Sequence, residues 1–186
     1  LDNRHTSYAG DVGIAPNPAL AKTIDEADVV LALGPRLGEM TTGGYTLFTP
    51  PKTHQTLIHV HADANELGRV YHPDVAIACR PAQMAIALAD MATRPIVDRT
   101  NYVQHCRTAY EAWQVPQATV GDLRMENVIS HLNTTIPDDA IVTNGAGNYA
   151  AWLHRYYRYR FWRTQLAPTS GSMGYGLPAA IAAKLE

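Results

Sequence analysis

The sequence has little cysteine, no excess of charge of either sign and no long apolar run. Its two cysteines, Cys79 and Cys106, are too few for a secreted disulfide framework or a zinc knuckle, so we expect a reducing, cytoplasmic setting. The 15 basic and 17 acidic residues nearly balance, which argues against a nucleic-acid partner. No apolar run approaches the ~18–20 residues that cross a bilayer, so we expect no membrane association. The chain shows no secretory leader and no initiating Met, and we expect that Leu1 is not the natural start.

The apolar residues, 46% of the chain, are enough for a packed core. Short apolar runs alternate with helical segments, and this alternation predicts βαβ units with parallel, Rossmann-like sheets, which is an α/β fold. The run over residues 28–34 is continuous, which is typical of a strand buried on both faces. The first helix is expected to begin with Asn17 as its cap and Pro18 in its first turn. The predicted strands are residues 28–34, 56–63, 74–79 and 140–143, and the predicted helices 17–25, 81–91, 102–113 and 123–133.

We predict two α/β units joined by a helical linker. Residues 1–92 form the first unit and residues 121–186 the second. The linker covers residues 93–120 and begins at a change of composition at residues 93–95.

Two glycine-rich segments are candidate ligand-binding loops. Gly145-Ala146-Gly147 lies between a predicted strand and a predicted helix, where small residues let the backbone approach a phosphate. A G-x-G sequence also ends strands for packing reasons, so both interpretations stay open. Residues 169–178 contain three glycines within six residues before a helix at Pro178, and a ligand there would meet exposed backbone and Met173. The alternative is a flexible loop whose Met173 fills core space.

The second of these segments carries a family resemblance. Residues 170–181 read S-G-S-M-G-Y-G-L-P-A-A-I and resemble the S-G-x-M-G-x-G-L-P-A-A-I signature of thiamine-diphosphate-dependent enzymes, especially acetolactate synthase large subunits. Residues 140–152 resemble the preceding strand, turn and helix of the same diphosphate-binding domain, and residues 24–80 resemble the family's central domain. The resemblance implies the C-terminal part of a Rossmann-like central domain over residues 1–92 and the start of the thiamine-diphosphate-binding domain over residues 121–186.

The resemblance also implies which residues contact the cofactor. In relatives, the turn that matches Ala146-Gly147-Asn148 contacts the diphosphate, and Asn148 stands where many synthases have His. The carbonyl that matches Gly171 accepts a hydrogen bond from the cofactor's 4′-amino group. The side chain that matches Met173 wedges between the two cofactor rings and holds them bent. Ser172, between these two positions, completes the expected cofactor-binding set.

The implied function is that of a fragment of a thiamine-diphosphate- and magnesium-dependent enzyme that decarboxylates 2-oxo acids and ligates the product. A homodimer or homotetramer is implied as well. The family's G-D-G…N segment, which holds magnesium, and its activating Glu have no match in these 186 residues. We therefore expect no catalytic residue and no metal ligand in the chain, and no activity of the fragment alone. The alternative function is that of a non-catalytic Rossmann-like nucleotide-binding or assembly module. The absence of a G-D-G…N segment downstream in the parent gene would favour this alternative.

Flavin-carrying synthases show G-A-R-F-D-D-R where residues 34–40 read G-P-R-L-G-E-M, so only Gly34 and Arg36 are kept. One acid of the family's H-I-D-I-D strand is His61 here. These replacements argue against bound FAD, although Arg36 could still meet the phosphate of an ADP-like ligand.

Two further clusters have a structural and a functional interpretation. His59, His61 and Asp63 alternate along one predicted strand and could bind a metal ion, but strand packing and loop hydrogen bonds are favoured. Residues 154–163, the arginine–aromatic segment, hold four arginines and five aromatic residues. This composition suits a nucleic-acid surface, but an amphipathic surface or subunit contact is favoured.

Overall fold

The computed structural model describes residues 2–91 and 98–186. The change of composition at residues 93–95 lies outside the described residues. Contacts divide the chain into two compact units. The continuous unit is Pro16–Asn101, and the discontinuous unit combines the residues up to Ala15 with Tyr102–Glu186. The predicted domain boundaries at residues 92 and 120 stay predictions.

The continuous unit is built on a three-stranded parallel sheet in the order β1-β2-β3. Leu33 of β1 pairs with Val60 of β2, and Val60 pairs in turn with Ile77 of β3. The α/β class with parallel strands is therefore confirmed. The elements of this unit are α1 Pro18–Asp25, β1 Val29–Leu33, β2 Thr56–His61, a 3-10 turn Ala64–Glu66, β3 Val75–Ala78 and α2 Pro81–Asp90.

The start of α1 agrees with the sequence prediction. The Asn17 side chain accepts a hydrogen bond from the backbone N–H of Ala19 at 3.0 Å, and Pro18 follows at the first helical position. Proline suits this position because its missing N–H would have no partner inside the helix.

The main hydrophobic cluster of the continuous unit lies on one face of its sheet, and Val60 of β2 is fully buried on the other face. In this cluster Ala32 and Leu57 pack with Leu37, Phe48 and Tyr71, and the Phe48 and Tyr71 rings meet edge to face. Successive side chains of a strand point to opposite faces, and on the other face Val29 is 54% and Leu31 44% exposed. The prediction that β1 is buried on both faces is therefore wrong for the described part of the chain.

The discontinuous unit contains four helices and a two-stranded parallel sheet within its described residues. The short strands β4 and β5 are joined by hydrogen bonds from Val142 N to Thr164 O (2.8 Å) and from Asn144 N to Leu166 O (3.0 Å). Its elements are α3 Thr100–Trp113 (from Tyr102 onward), α4 Met125–Thr135, β4 Val142–Thr143, α5 Ala150–Tyr156, β5 Gln165–Leu166 and α6 Gly176–Leu185. The sequence predicted every one of these except β5.

The arginine–aromatic segment supplies much of this unit's core. Tyr156, Tyr157 and Tyr159 are buried around Ile129 and Leu153. Three of its arginines are bound inside the unit: Arg155 lies 3.5 Å from the centre of the Trp113 ring, Arg158 pairs with Glu111, and Arg160 pairs with Asp138. The interpretation as a surface or subunit contact is therefore wrong for the tyrosines, whose rings are core residues.

Within residues 2–91 and 98–186, no helix combines the length and the apolar character needed to cross a bilayer.

Candidate functional site

The candidate site lies where the two strands of the discontinuous unit end. The strands β4 and β5 are parallel, so their carboxyl ends lie at the same edge of the sheet. The glycine turn, residues 144–148, follows β4, and the glycine loop, residues 169–176, begins shortly after β5. The short strand β5 therefore brings together two segments that are separate in sequence.

Gly176 is the point at which the glycine loop meets the glycine turn. The Thr143 hydroxyl donates a hydrogen bond to the Gly176 carbonyl oxygen at 2.9 Å. A Cβ placed on Gly176 would lie 2.8 Å from the Gly145 backbone nitrogen and 3.0 Å from the Asn144 carbonyl carbon. Both neighbours are backbone atoms, which a side-chain rotation cannot move, so the close approach requires glycine.

The glycine turn folds around the side chain of Tyr149. The Gly145 N–H donates a hydrogen bond to the Tyr149 hydroxyl oxygen at 2.8 Å. A Cβ on Gly147 would lie 2.8 and 2.9 Å from two carbons of the Tyr149 ring. Both glycines of the G-x-G sequence thus lie against one aromatic side chain.

The glycine turn offers hydrogen-bonding groups to a ligand. Among the described residues, none accepts a hydrogen bond from the backbone N–H of Ala146, Gly147 or Asn148. Asn144 is only 5% exposed, and its amide group donates to the Gly145 carbonyl, but its Oδ1 has no partner in the described structure. The unpaired N–H groups fit an anionic ligand, whereas the Asn144 oxygen requires a hydrogen-bond donor.

The glycine loop leaves its backbone open. Gly171 and Gly174 have φ values of +69° and +79°, which L side chains rarely adopt, and a Cβ on either would meet no atom within 4 Å. Met173, between them, is 88% exposed. The alternative that Met173 fills core space is therefore wrong for this structure. Ser172 is exposed as well, and its hydroxyl lies 3.0 Å from that of Ser170.

The histidines of β2 are bound to the backbone. His59 is buried, and its Nε2 lies 2.9 Å from the Pro35 carbonyl oxygen. The Nδ1 of His61 lies 3.1 Å from the Asp63 N–H nitrogen. These are the packing and loop contacts that the sequence favoured. The described ranges contain no group of three or more His, Cys, Asp or Glu side chains that could hold a metal ion.

The remnants of the flavin motif have structural roles in the continuous unit. A Cβ on Gly34 would lie 2.7 Å from Cγ of Pro81, the first residue of α2, and the φ of Gly34 is +95°. Any residue other than glycine at position 34 would therefore clash with the start of α2. Arg36 and Arg69 both pair with Glu66, at 3.1 and 2.9 Å. The hydrogen bond from Arg36 holds the pKa of Glu66 below its usual value.

A cavity of about 420 Å³ lies elsewhere in the discontinuous unit. The buried hydroxyl of Tyr159, one of its lining residues, has no partner among the described residues. Burial raises the pKa of Tyr8, which also lines the cavity. None of the six residues expected to bind a cofactor contributes to the lining, which consists of Asn3, Tyr8, Tyr159, Phe161, Trp162, Arg163, Thr164 and Gln165.

Comparison with protein families identifies both parts of the chain. Residues 1–88 match the model described as thiamine pyrophosphate enzyme, central domain. Residues 145–186, which include the glycine loop and nearly all of the glycine turn, match thiamine pyrophosphate enzyme, C-terminal TPP binding domain. The chain belongs to the thiamine pyrophosphate enzyme family. The resemblance drawn from residues 24–80 and 140–181 is thereby confirmed.

Individual members of this family that resemble the chain are acetolactate synthases. The acetolactate synthase of Mycobacterium bovis is 29% identical over 97% of the chain, which covers 30% of that relative. The probable acetolactate synthase 2, chloroplastic, of Oryza sativa is 30% identical over 86% of the chain and 25% of its own length. The mitochondrial acetolactate synthase of Schizosaccharomyces pombe is 30% identical over 87% of the chain and 26% of its own length. The chain thus spans less than a third of each of these relatives.

Two residues of the site, Asn144 and Tyr149, were missed by the sequence reasoning, and so was the role of Gly176. A polar residue directly after a buried strand is a signal that could have found Asn144, because ligands of parallel sheets bind at the carboxyl ends of strands. Gly176 was noted as one of the glycines that expose backbone to a ligand, whereas its role is a close approach between two segments. Nothing in the sequence indicates that the Tyr149 side chain folds back onto Gly145.

Proposed function

We propose that the chain is part of a thiamine-diphosphate- and magnesium-dependent enzyme of the acetolactate synthase type. The intact enzyme acts on a 2-oxo acid by decarboxylation and ligates the product to a second carbonyl compound. The 186-residue chain by itself is inactive. Part of the cofactor site, formed by the glycine turn and the glycine loop, lies in this chain.

One observation carries this proposal: Gly176 packs the glycine loop against the glycine turn within the segment that matches the thiamine pyrophosphate binding domain. The unpaired N–H groups of the turn and the open backbone of the loop then lie at one sheet edge. An isolated G-x-G turn would fit many ligands. Its contact with the loop that carries the family signature favours thiamine diphosphate.

The residues of the two segments have different parts in holding the cofactor. The N–H groups of Ala146, Gly147 and Asn148 suit the diphosphate, and the Asn148 side chain adds a neutral hydrogen-bonding group where many synthases have His. The Gly171 carbonyl suits the 4′-amino group, and Ser172 lies beside it in the same exposed loop. The exposed Met173 side chain is free to pack between the cofactor rings.

Thiamine diphosphate, when bound, supplies the carbon that attacks the 2-oxo group and accepts the electron pair released by decarboxylation. The residues of this chain bind and orient the cofactor for that chemistry. The magnesium ligands and the activating Glu come from parts of the enzyme outside these residues. The intact enzyme works as a homodimer or homotetramer. A cytoplasmic location stays a prediction, because the names of the relatives include chloroplastic and mitochondrial proteins.

The proposal is tested on the intact protein with a substitution in the glycine turn. Asn148→Ala removes one hydrogen-bonding side chain and should weaken thiamine diphosphate binding about 10-fold, the effect of one hydrogen bond to a charged group. Asn127→Ala, at an exposed position on α4, is the matched control and should bind as the wild type does. Affinity is measured by titration calorimetry with magnesium present, and turnover is measured with 2-oxo acids. An intact protein that neither binds thiamine diphosphate nor consumes any 2-oxo acid would refute the proposed function.

A further inference from the structure

The cavity of the discontinuous unit is formed by two segments that are far apart in sequence. Asn3 and Tyr8 come from the residues up to Ala15, and the other lining residues lie between positions 159 and 165. The Asn3 N–H joins the two segments, because it donates a hydrogen bond to the Tyr159 carbonyl oxygen at 2.8 Å. All the lining residues belong to this unit, and the volume of about 420 Å³ is within the range of small-molecule sites.

The hydroxyl of Tyr159 is a buried polar group without a partner. Tyr159 is 9% exposed, and its ring packs edge to face on the ring of Tyr157, with 4.7 Å between the ring centres. The ring is thus held in the core, yet its hydroxyl forms no hydrogen bond within residues 2–91 and 98–186. A buried hydroxyl without a partner is unfavourable, and folded proteins pair the large majority of such groups. A ligand in the cavity would supply the missing partner.

Tyr8 adds a second unused hydroxyl to the lining. Its ring packs on that of Tyr110 and its backbone carbonyl accepts Arg107, but no described residue bonds its hydroxyl. Burial raises the pKa of both Tyr8 and Tyr159, so both phenols keep their protons at neutral pH. The cavity therefore offers two phenolic protons to an acceptor oxygen.

Two exposed rings and one positive charge follow Tyr159 in the lining. Phe161 is 52% and Trp162 76% exposed, so this part of the lining reaches the solvent. Arg163 comes next with a φ of +62°, a backbone conformation that L residues rarely adopt. It is exposed and forms no ion pair in the described part of the chain, whereas Arg155, Arg158 and Arg160 are all bound inside the unit.

The charge of the lining decides which ligand suits it. The eight lining residues include one cation and no carboxylate. Asp11 is close enough to contribute to the raised pKa of both tyrosines, but it does not line the cavity. Its Oδ2 lies 3.9 Å from Nδ1 of His154. Phenolic protons, a guanidinium group and aromatic surface together suit a ligand that has an aromatic ring and an acidic group.

We propose that this cavity binds a small aromatic carboxylate. A carboxylate oxygen accepts the Tyr159 proton, the aromatic part packs on Phe161 and Trp162, and Arg163 balances the negative charge. The hydrogen bond from the phenol is of the charge-assisted kind, which is stronger than one between neutral groups. The lining shares no residue with the expected cofactor-binding set, so this inference goes beyond the proposed function and does not depend on it.

The test measures binding of two matched compounds to the intact protein. The dissociation constants of 2-naphthoate and of its neutral analogue 2-naphthalenemethanol are determined by titration calorimetry, with and without thiamine diphosphate and magnesium. The variants are Tyr159→Phe, which removes the unpaired hydroxyl and keeps the ring, and Arg163→Gln, which removes the charge. Tyr157→Phe is the matched control, because Tyr157 is a buried tyrosine outside the lining. Melting temperatures are measured without ligand.

We expect wild type to bind 2-naphthoate more tightly than the alcohol. Tyr159→Phe should weaken 2-naphthoate about 10-fold, the effect of a hydrogen bond to a charged group. Arg163→Gln should weaken it about 3-fold and leave the alcohol unchanged, because the contribution of an exposed charge is small. Tyr157→Phe should bind as wild type does. The melting temperature of Tyr159→Phe should equal or exceed that of wild type, because the deleted hydroxyl has no partner to lose.

Four results would overturn the proposal. They are failure of wild type to bind 2-naphthoate, tighter binding of the alcohol, unchanged 2-naphthoate binding in Tyr159→Phe, and displacement of 2-naphthoate by thiamine diphosphate. A lowered melting temperature of Tyr159→Phe would also contradict it, because the hydroxyl would then have a structural role. Binding of 2-naphthoate by a protein that does not bind thiamine diphosphate would refute the proposed function and support this site.

Discussion

Gly176→Ala should damage the contact between the glycine loop and the glycine turn. The added Cβ would lie 2.8 Å from the Gly145 nitrogen and 3.0 Å from the Asn144 carbonyl carbon, so the backbone must shift. Overpacking of this kind costs about 1–3 kcal/mol. Alanine recovers roughly 0.5–1 kcal/mol of that cost at a helical position, because it loses less conformational freedom on folding than glycine. The net loss in free energy of unfolding is up to about 2.5 kcal/mol by these two estimates.

This loss corresponds to a melting temperature lowered by up to about 10 °C for a chain of this size. Thermal denaturation followed by circular dichroism measures it, and Gly38→Ala is the control, because a Cβ on Gly38 meets no atom within 4 Å. The shift should also weaken thiamine diphosphate binding in the intact protein, since Gly145 and Asn144 belong to the glycine turn. A Gly176→Ala variant that melts and binds like Gly38→Ala would refute the close approach on which the site depends.

Three further predictions concern other parts of the chain. Met173→Ala should leave the free energy of unfolding within about 0.5 kcal/mol of wild type, because the side chain is exposed. The same variant should lower kcat of the intact enzyme on the order of 100-fold, because the cofactor loses its orientation. Met173→Leu should have a small effect on stability and on kcat, and a large loss of stability in Met173→Ala with normal kcat would contradict the reasoning. The hydrogen bonds from the Thr119 N–H and hydroxyl lower the pKa of Glu126 below 4.5 in the folded state. Their contribution to the free energy of unfolding is therefore present above pH 4.5 and is lost as the pH falls through the lower pKa of the folded state. The free energy of unfolding should fall less steeply with acid in Glu126→Gln than in wild type, and identical profiles would exclude this linkage. The intact protein should purify without a flavin absorbance band, because Gly38, Glu39 and His61 replace the usual motif, and a stoichiometric band would show that this inference is wrong.

The elements of the fold were predictable where local patterns decide them. The cap at Asn17 and the apolar run of β1 depend on neighbours in sequence, and both were predicted within one or two residues. The strand β5 was not, because two residues are too few to show a period. The exposure of one face of β1 was not predictable either, because the same apolar run fits a strand that is covered on one face or on both.

The two segments of the site were predictable from the sequence, but their contact with each other was not. The family signature over residues 170–181 indicated the glycine loop, and the G-x-G pattern indicated the glycine turn. Their contact depends on β5 and on the absence of a side chain at Gly176, which are long-range features. The fold of Tyr149 onto Gly145 is a matter of one rotamer, which sequence patterns do not encode.

The discontinuous unit also constrains the order of folding. Arg107 donates to the carbonyl oxygens of Asn3 and Tyr8, and the Asn3 N–H donates to the Tyr159 carbonyl oxygen. Joining Arg107 to Asn3 closes a loop of 104 residues, which costs roughly 4 kcal/mol in chain entropy when the loop is unfolded. The continuous unit lies within this loop, so its earlier folding shortens the flexible chain that must be closed. During synthesis the residues up to Ala15 therefore wait for partners that leave the ribosome about a hundred residues later, while the continuous unit can already complete its own sheet.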